Sequence, residues 1–180
     1  KKHTYTMKKI STALLLLIFF CLSASAQDKI LKVLAIGNSF SEDGIENYLY
    51  DLAKADGKKI IIGNMYIGGA SVELHVKNSR EDKAAYAYRK IGLDGKKVAT
   101  KDVSISKAIA DEEWDYISLQ QASPFSGQYD VIMNDLPELM KYVNSLKKPH
   151  TKLLYHQTWA YQHDSDHKCF ANYDNSQSKM

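Results

Sequence analysis

Along the chain, short aliphatic runs alternate with segments whose apolar residues recur every three to four positions. Ile30 to Ile36 (ILKVLAI) is nearly unbroken, the pattern of a strand buried on both faces in a parallel sheet. It ends at Gly37-Asn38-Ser39. Asp43-Gly44-Ile45-Glu46 then predicts a capping box, and Ile45, Leu49, Leu52 and Ala53 fall on one face of a helix that stops at Gly57. Lys59 to Ile62 begins a second strand, closed by Gly68-Gly69-Ala70-Ser71, where Ser71 can cap a short helix through about Val76. Tyr86 to Ile91 and Lys96 to Ala99 flank Leu93-Asp94-Gly95, a hairpin signal. Ser104 to Glu113 predicts a helix with Ile105, Ala108 and Ile109 inward, and Tyr116 to Leu119 a third core strand. Leu136 to Leu146 predicts a helix with Leu139, Met140 and Val143 on one face, and Lys152 to His156 a fourth strand. This alternation predicts an α/β fold with a doubly wound, mostly parallel sheet, right-handed crossovers and a small β-hairpin insertion. After the fourth strand, Gln162 to Met180 runs polar, so the domain over 27–180 is expected to be clipped before a further β-α unit.

The first 26 residues stand outside this pattern. Met7-Lys8-Lys9 opens a basic segment, Ala13 to Leu22 is an unbroken apolar run of 10 residues, and Ala24-Ser25-Ala26 supplies small residues in the A-x-A pattern. A run that short cannot cross ~30 Å of hydrocarbon, which takes about 20 helical residues. The segment predicts an export signal, with Lys1 to Thr6 as upstream residues and Gln27 as the new N-terminus. A periplasmic or secreted protein with no membrane association after cleavage follows. A lipid-bearing Cys21 is the other reading, and its neighbours Phe20 and Leu22 fit it poorly.

Removing the signal changes the charge. The whole chain is +3, from 24 Lys/Arg and 21 Asp/Glu, but residues 1–26 hold four lysines and no acid, which leaves −1. The basicity is therefore targeting information and implies no nucleic-acid partner. Cys21 leaves with the signal, so Cys169 has no cysteine to pair with and the domain depends on its core. With 44% hydrophobic and 25% charged residues, that core is of ordinary globular size.

In open α/β sheets, sites form in the loops at the carboxyl ends of the strands. Three such loops carry candidate chemistry: Gly37-Asn38-Ser39-Phe40-Ser41, Gly68-Gly69-Ala70-Ser71 and Gln120-Gln121-Ala122-Ser123. Ser39 follows a buried strand and precedes a helix, where a hydroxyl can be exposed beside N–H groups that would face an oxyanion. Alternatively Gly37 makes the turn and Ser39 or Ser41 only caps the helix. Gly68-Gly69 can bring a backbone N–H close to a ligand or can simply make a tight turn. The two glutamine amides donate and accept, for a ligand or for the loop itself. Neither G-x-G-x-x-G nor G-x-x-x-x-G-K-[ST] occurs at the first turn, so a nucleotide or phosphate binder using the helix N-terminus at Ser39 is a distant rival. His163 and His167 lack a third ligand at diagnostic spacing, and no metal or cofactor is expected.

Taken together, G-N-S-F-S, I-G-G-A-S and L-Q-Q-A-S after successive strands resemble the SGNH (GDSL-like) hydrolases. With Glu73-Leu74-His75, Trp114-Asp115-Tyr116-Ile117 and Thr158-Trp159-Ala160-Tyr161, the chain from Lys32 to Met180 is most similar to the DUF4886 branch of that superfamily, common in gut Bacteroidetes. The resemblance implies a flavodoxin-like α/β/α sandwich and an esterase or carbohydrate deacetylase. It places the nucleophile at Ser39 and the oxyanion hole at the N–H groups of Ser39 and Gly69 or Gly68. In the third block the family has an asparagine where Gln121 is the nearest amide, and Asn38 stands where it usually has aspartate. The family's base comes from a D-x-x-H after a fifth strand. Asp164-Ser165-Asp166-His167 has that spacing but follows the fourth strand, so the working dyad is expected beyond Met180 and His167 is expected to be solvated. His156 and His163 are further candidates for the cleft. Tyr66, Trp159 and Tyr161 could stack on sugar faces or serve as packing. The implied substrate is a small-molecule or glycan ester. A non-catalytic glycan-binding module on the same fold is the alternative.

Overall fold

The structure is a computed structural model that describes residues 29–180. The predicted export signal lies outside the described residues. Everything is arranged around β1 (Leu31–Gly37), an interior strand of a six-stranded sheet. On one side it pairs in parallel with β2 (Ile60–Tyr66), and on the other with β5 (Tyr116–Gln120), itself parallel to β6 (Lys152–His156). Beyond β2 the hairpin β3 (Tyr86–Ile91) and β4 (Lys97–Val103) joins antiparallel, giving the order β4-β3-β2-β1-β5-β6. The fold is therefore the expected mostly parallel α/β sheet, with the predicted hairpin extending one edge.

Alternation within the strands assigns the two layers. Leu34 and Ile36 of β1 and Met65 of β2 face a large core with Trp114, Ile117 and Leu119, closed by α3 (Val72–Arg80), α4 (Ile105–Asp111) and α5 (Tyr129–Leu146). Val33, Ile60, Ile62 and Ile91 face the opposite layer, where Ile45, Leu49, Tyr50 and Ala53 pack. Gly63 is glycine because a Cβ there would lie 2.8 Å from the Trp114 ring. Trp114-Asp115 is structural: the indole is buried and donates to the Ala108 carbonyl, and the Asp115 carboxylate accepts from the Lys32 N–H at 3.0 Å, joining β1 to β5 at their amino ends.

Two helices differ from expectation. The single helix predicted after β1 is three pieces: a turn α1 (Ser39–Ser41), a π-helical stretch over Glu42–Asn47, and α2 (Leu49–Ala55). The wider π turn rotates the inward face, so Glu46 is buried and Leu52 is 65% exposed. The capping box is not used. Asn38 caps α1 instead, its side chain accepting from the Phe40 N–H, and neither Ser39 nor Ser41 does so. The helix expected from Leu136 begins at Tyr129 and carries Pro137 within it, and Met140 lies on its exposed side. Ser71 caps α3 as expected, accepting from Leu74 N–H.

His75 lies on α3, buried, with Nδ1 2.9 Å from the Tyr86 hydroxyl. Burial pushes its imidazole down to about 4. The unfolded chain takes up a proton near pH 6.5 that the folded chain refuses until about pH 4. Stability is thus complete above pH 6.5 and falls by about 3 kcal/mol on acidification to pH 4. Urea unfolding at both pH values should show that loss, and His75→Leu should flatten it while lowering stability at pH 7. An unchanged pH slope in the variant would assign the acid sensitivity elsewhere.

Candidate functional site

Because β1, β2, β5 and β6 are parallel, the segments leaving their carboxyl ends meet at one edge of the sheet. Asn38 joins three of them. Only 1% exposed, it donates from Nδ2 to the carbonyls of Ala70, at 2.9 Å, and Gln121, at 3.3 Å. Its Oδ1 accepts from Phe40 N–H at 3.1 Å. Two carbonyl acceptors on one side and an N–H donor on the other fix the orientation of the amide. Aspartate could satisfy only the last of these partners. The first, second and third candidate loops of the sequence are thereby brought together.

The glutamines complete the connections. Gln121 Oε1 accepts from the N–H groups of Val72, at 3.0 Å, and Ala122, at 2.8 Å, tying the start of α3 to the end of β5. Its oxygen is committed, so Nε2 is the end able to donate to a ligand. Gln120 Oε1 accepts from the Asn38 N–H at 3.2 Å, which turns its Nε2 toward His156 Nδ1, also at 3.2 Å. His156 Nδ1 is then the acceptor and its proton sits on Nε2. Burial lowers the pKa of this histidine, favouring the neutral ring. Gly37 has no room for a side chain, since a Cβ would lie 2.6 Å from Gln120 Oε1 and 2.8 Å from Ser41 Oγ.

Against this tied framework, Ser39 is exposed and its hydroxyl has no hydrogen-bond partner among the described residues. Gly69 has φ +68°, a conformation that favours glycine, while a Cβ on it would meet nothing within 4 Å. The loop can therefore present backbone at this point without a side chain over it. Phe40 packs edge-on against Trp159, with ring centroids 4.9 Å apart, and Trp159 remains 61% exposed. The segment after β6 thus leans against the turn that carries Ser39.

The other sequence candidates have other partners. His167 is exposed; its Nδ1 accepts from Cys169 N–H and its ring stacks on Tyr161 at 4.6 Å. Among the described residues no hydrogen bond joins it to Ser39 or to Asp164, whose carboxylate instead lies 3.9 Å from His163 Nδ1. Tyr161 is occupied by His167, by Phe170 and by the Ser123 hydroxyl, and one face of Tyr66 is covered by the Arg89 guanidinium at 3.8 Å. Of the three aromatics read as sugar platforms, Trp159 alone is broadly exposed. Among the described residues no three His, Cys, Asp or Glu side chains converge to hold a metal ion, and no helix is long and apolar enough to cross a membrane. Sequence reasoning missed the joining role of Asn38 and the buried Glu46. A neutral amide directly before Ser39 was the available signal for the first.

Residues 32–180 match a family model described as "Domain of unknown function (DUF4886)". The chain is similar to a DUF4886 family protein from Bacteroides uniformis ATCC 8492 of known crystal structure, at 54% identity and a TM-score of 0.82. That match covers 84% of this chain and 59% of the Bacteroides one. A second solved structure, from Slackia heliotrinireducens and provisionally described as an SGNH hydrolase, matches at 16% identity and a TM-score of 0.51. It covers 84% of this chain and 68% of that one, and at this identity the likeness shows the shared fold alone. No curated protein matches the chain.

Replacing Asn38 tests the framework. Asn38→Asp removes both Nδ2 bonds and sets a buried carboxylate against two carbonyl oxygens, costing about 3 kcal/mol or more at pH 7. Those carbonyls raise the new carboxyl's folded pKa, so the loss should shrink as pH falls through that value. Denaturant midpoints at pH 7 and pH 4.5, each read against wild type at the same pH, check both the size and the sign.

Proposed function

The chain belongs to the DUF4886 family, and on that footing we propose that it is an exported serine hydrolase acting on an ester, an acetyl ester of a carbohydrate. The observation that carries this reading is the contrast at the first turn. Asn38 is buried and fully engaged, and the adjacent Ser39 is exposed with its hydroxyl uncommitted. A serine retained only as a helix cap would be hydrogen-bonded to the helix, and Asn38 already performs that task.

In the proposed reaction, Ser39 Oγ attacks the ester carbonyl carbon while a histidine takes its proton. The oxyanion is received by the N–H groups of Ser39 and Gly69 and by Gln121 Nε2. Collapse of the tetrahedral intermediate breaks the ester C–O bond, and the histidine returns the proton to the departing alcohol. Water then attacks the acyl-serine and releases the acid. Neither His156, held by Gln120, nor His167, held by Cys169 and Tyr161, is bonded to Ser39. Completing that proton path belongs to the proposal, as does the activity of a whole protein of which the Bacteroides relative is matched over 59% of its length. The exposed Trp159 supports a sugar ring as the alcohol portion, since an indole face at the mouth of a site stacks on such rings. The same tryptophan also favours the second reading, a glycan-binding module without turnover.

Two measurements on the full-length gene product separate these. Ser39→Ala should lower hydrolysis of a short-chain aryl acetate by at least about 1,000-fold and abolish covalent labelling by a fluorophosphonate, with the melting temperature unchanged. Trp159→Ala should raise KM for an acetylated oligosaccharide roughly 3–10-fold and leave kcat nearly unaltered. Wild-type protein that binds the oligosaccharide yet neither hydrolyses the ester nor takes the label is the binding module.

A further inference from the structure

One buried charge near this site is used by none of the steps above. The Glu46 side chain has no exposed surface, though it lies in a helical segment on the outer layer of the fold. Within the π-helical stretch it turns toward the sheet, while Leu52 of α2 faces solvent. There Oε1 accepts from Lys97 Nζ at 2.8 Å, and Oε2 accepts from Asn64 Nδ2 at 2.8 Å and from the Arg89 guanidinium at 3.2 Å. Burial pushes this carboxyl up, and the hydrogen bonds from Lys97, Asn64 and Arg89 outweigh it, leaving the group below its usual range. It is ionised at neutral pH.

An ionised carboxylate only accepts hydrogen bonds, which decides the next link. Asn64, fully buried on β2, must point Nδ2 at Glu46, so its Oδ1 points at Ser41, 2.9 Å from Oγ. The Ser41 hydroxyl has one proton for two acceptors, Asn64 Oδ1 and the Asn38 carbonyl oxygen at 2.7 Å, so the way Asn64 faces decides how much of that proton the carbonyl receives. The carbonyl also accepts the Ser41 and Glu42 N–H groups. Ser41 thus sits directly beneath the turn that presents Ser39, and Gly37 is bare because Ser41 Oγ occupies the space of a Cβ.

We propose that Glu46 is a positioning residue for the Ser39 turn, acting through the Asn64 amide and the Ser41 hydroxyl to hold the Asn38 carbonyl and the N–H groups that follow it. The proposal rests on the reading of Ser39 as nucleophile and adds a second support, from the sheet side, to the loop-side support that Asn38 provides. Both cations on Glu46 come from the β3–β4 hairpin, so that hairpin acts as more than an ornament on the sheet edge. Arg89 reaches the same edge by a second route, lying over Tyr66, whose hydroxyl faces Gly68.

The test uses the full-length protein. Glu46→Gln keeps the shape and removes the charge, so its amide can turn either way and no longer dictates how Asn64 faces Ser41. It should lower kcat for the aryl acetate about 10-fold or more with KM within twofold, because Glu46 does not touch substrate. Ser41→Ala should give the same loss, and the double variant should lose no more than either single one, as members of one chain do. Glu42→Gln removes another acidic partner of Arg89 without touching Asn64, and should leave kcat within twofold. Backbone amide resonances of Ser39 and Phe40 should shift in Glu46→Gln and Ser41→Ala and stay fixed in Glu42→Gln. That readout needs no turnover, so it tests the connection even if the parent protein proves inactive. Ser41→Ala, which adds no bulk, carries the test if Glu46→Gln does not fold. Unmoved Ser39 and Phe40 resonances in the Ser41 variant, additive losses, or an equal kcat loss in Glu42→Gln would each overturn the proposal.

Discussion

The arrangement at the carboxyl edge of the sheet depends on one side chain that can both donate and accept while fully buried. Parallel strands bring four loop regions to the same edge, but that alone does not set their spacing. Each loop carries backbone carbonyls and N–H groups that lose water when the edge packs, and a buried unpaired group costs roughly 1–3 kcal/mol. Asn38 satisfies two carbonyls and one N–H at once, in three different segments, and so converts nearness into a fixed geometry. Gln120 and Gln121 extend the same solution, each using its oxygen for backbone donors. Three neutral amides thus hold the edge without placing a charge in it.

Charge is confined to the layer below. Glu46 is an ionised group without solvent, tolerable because Lys97, Arg89 and Asn64 replace the water it gives up. A hydrophobic residue could fill that space at less cost, but it could not orient Asn64. Polar connections of this kind specify one arrangement among several of similar packing. The π-helical stretch carries this arrangement, with position 46 turned inward while Ile45 and Leu49 still pack against the sheet.

Much of this was legible in the sequence, and the boundary has a physical basis. The aliphatic runs marked β1, β2 and β5 because strands covered on both faces are largely apolar. The run Lys152 to His156 marked the edge strand β6 although Leu154 is 47% exposed, and Asp94-Gly95 marked the hairpin because few residues suit its turn. The three candidate loops were visible because loops at the ends of parallel strands follow from topology. Hydrophobic periodicity misassigned Leu52, because a single π turn shifts phase by more than the pattern can register. It gave no hint that Glu46 was internal, since a glutamate three residues after Asp43 looks like an ordinary helix start. Tyr66 and Tyr161 were indistinguishable from Trp159 by residue type; only the neighbours Arg89 and His167 separate them.

The reach of the Asn38 bridge also bears on how the protein is made. The bond to Gln121 spans 83 residues of chain, and the bond from Lys32 to Asp115 spans the same distance. A ribosome adding about 5–20 residues per second takes roughly 4–17 s to cover that interval. For that time the emerging β1 can pair with β2 on one edge, while its other edge stays bare and the turn after it lacks its anchor. The candidate site thus cannot be defined until β5 has followed, and the nascent chain passes through an interval in which its central strand is open to pairing with the wrong neighbour.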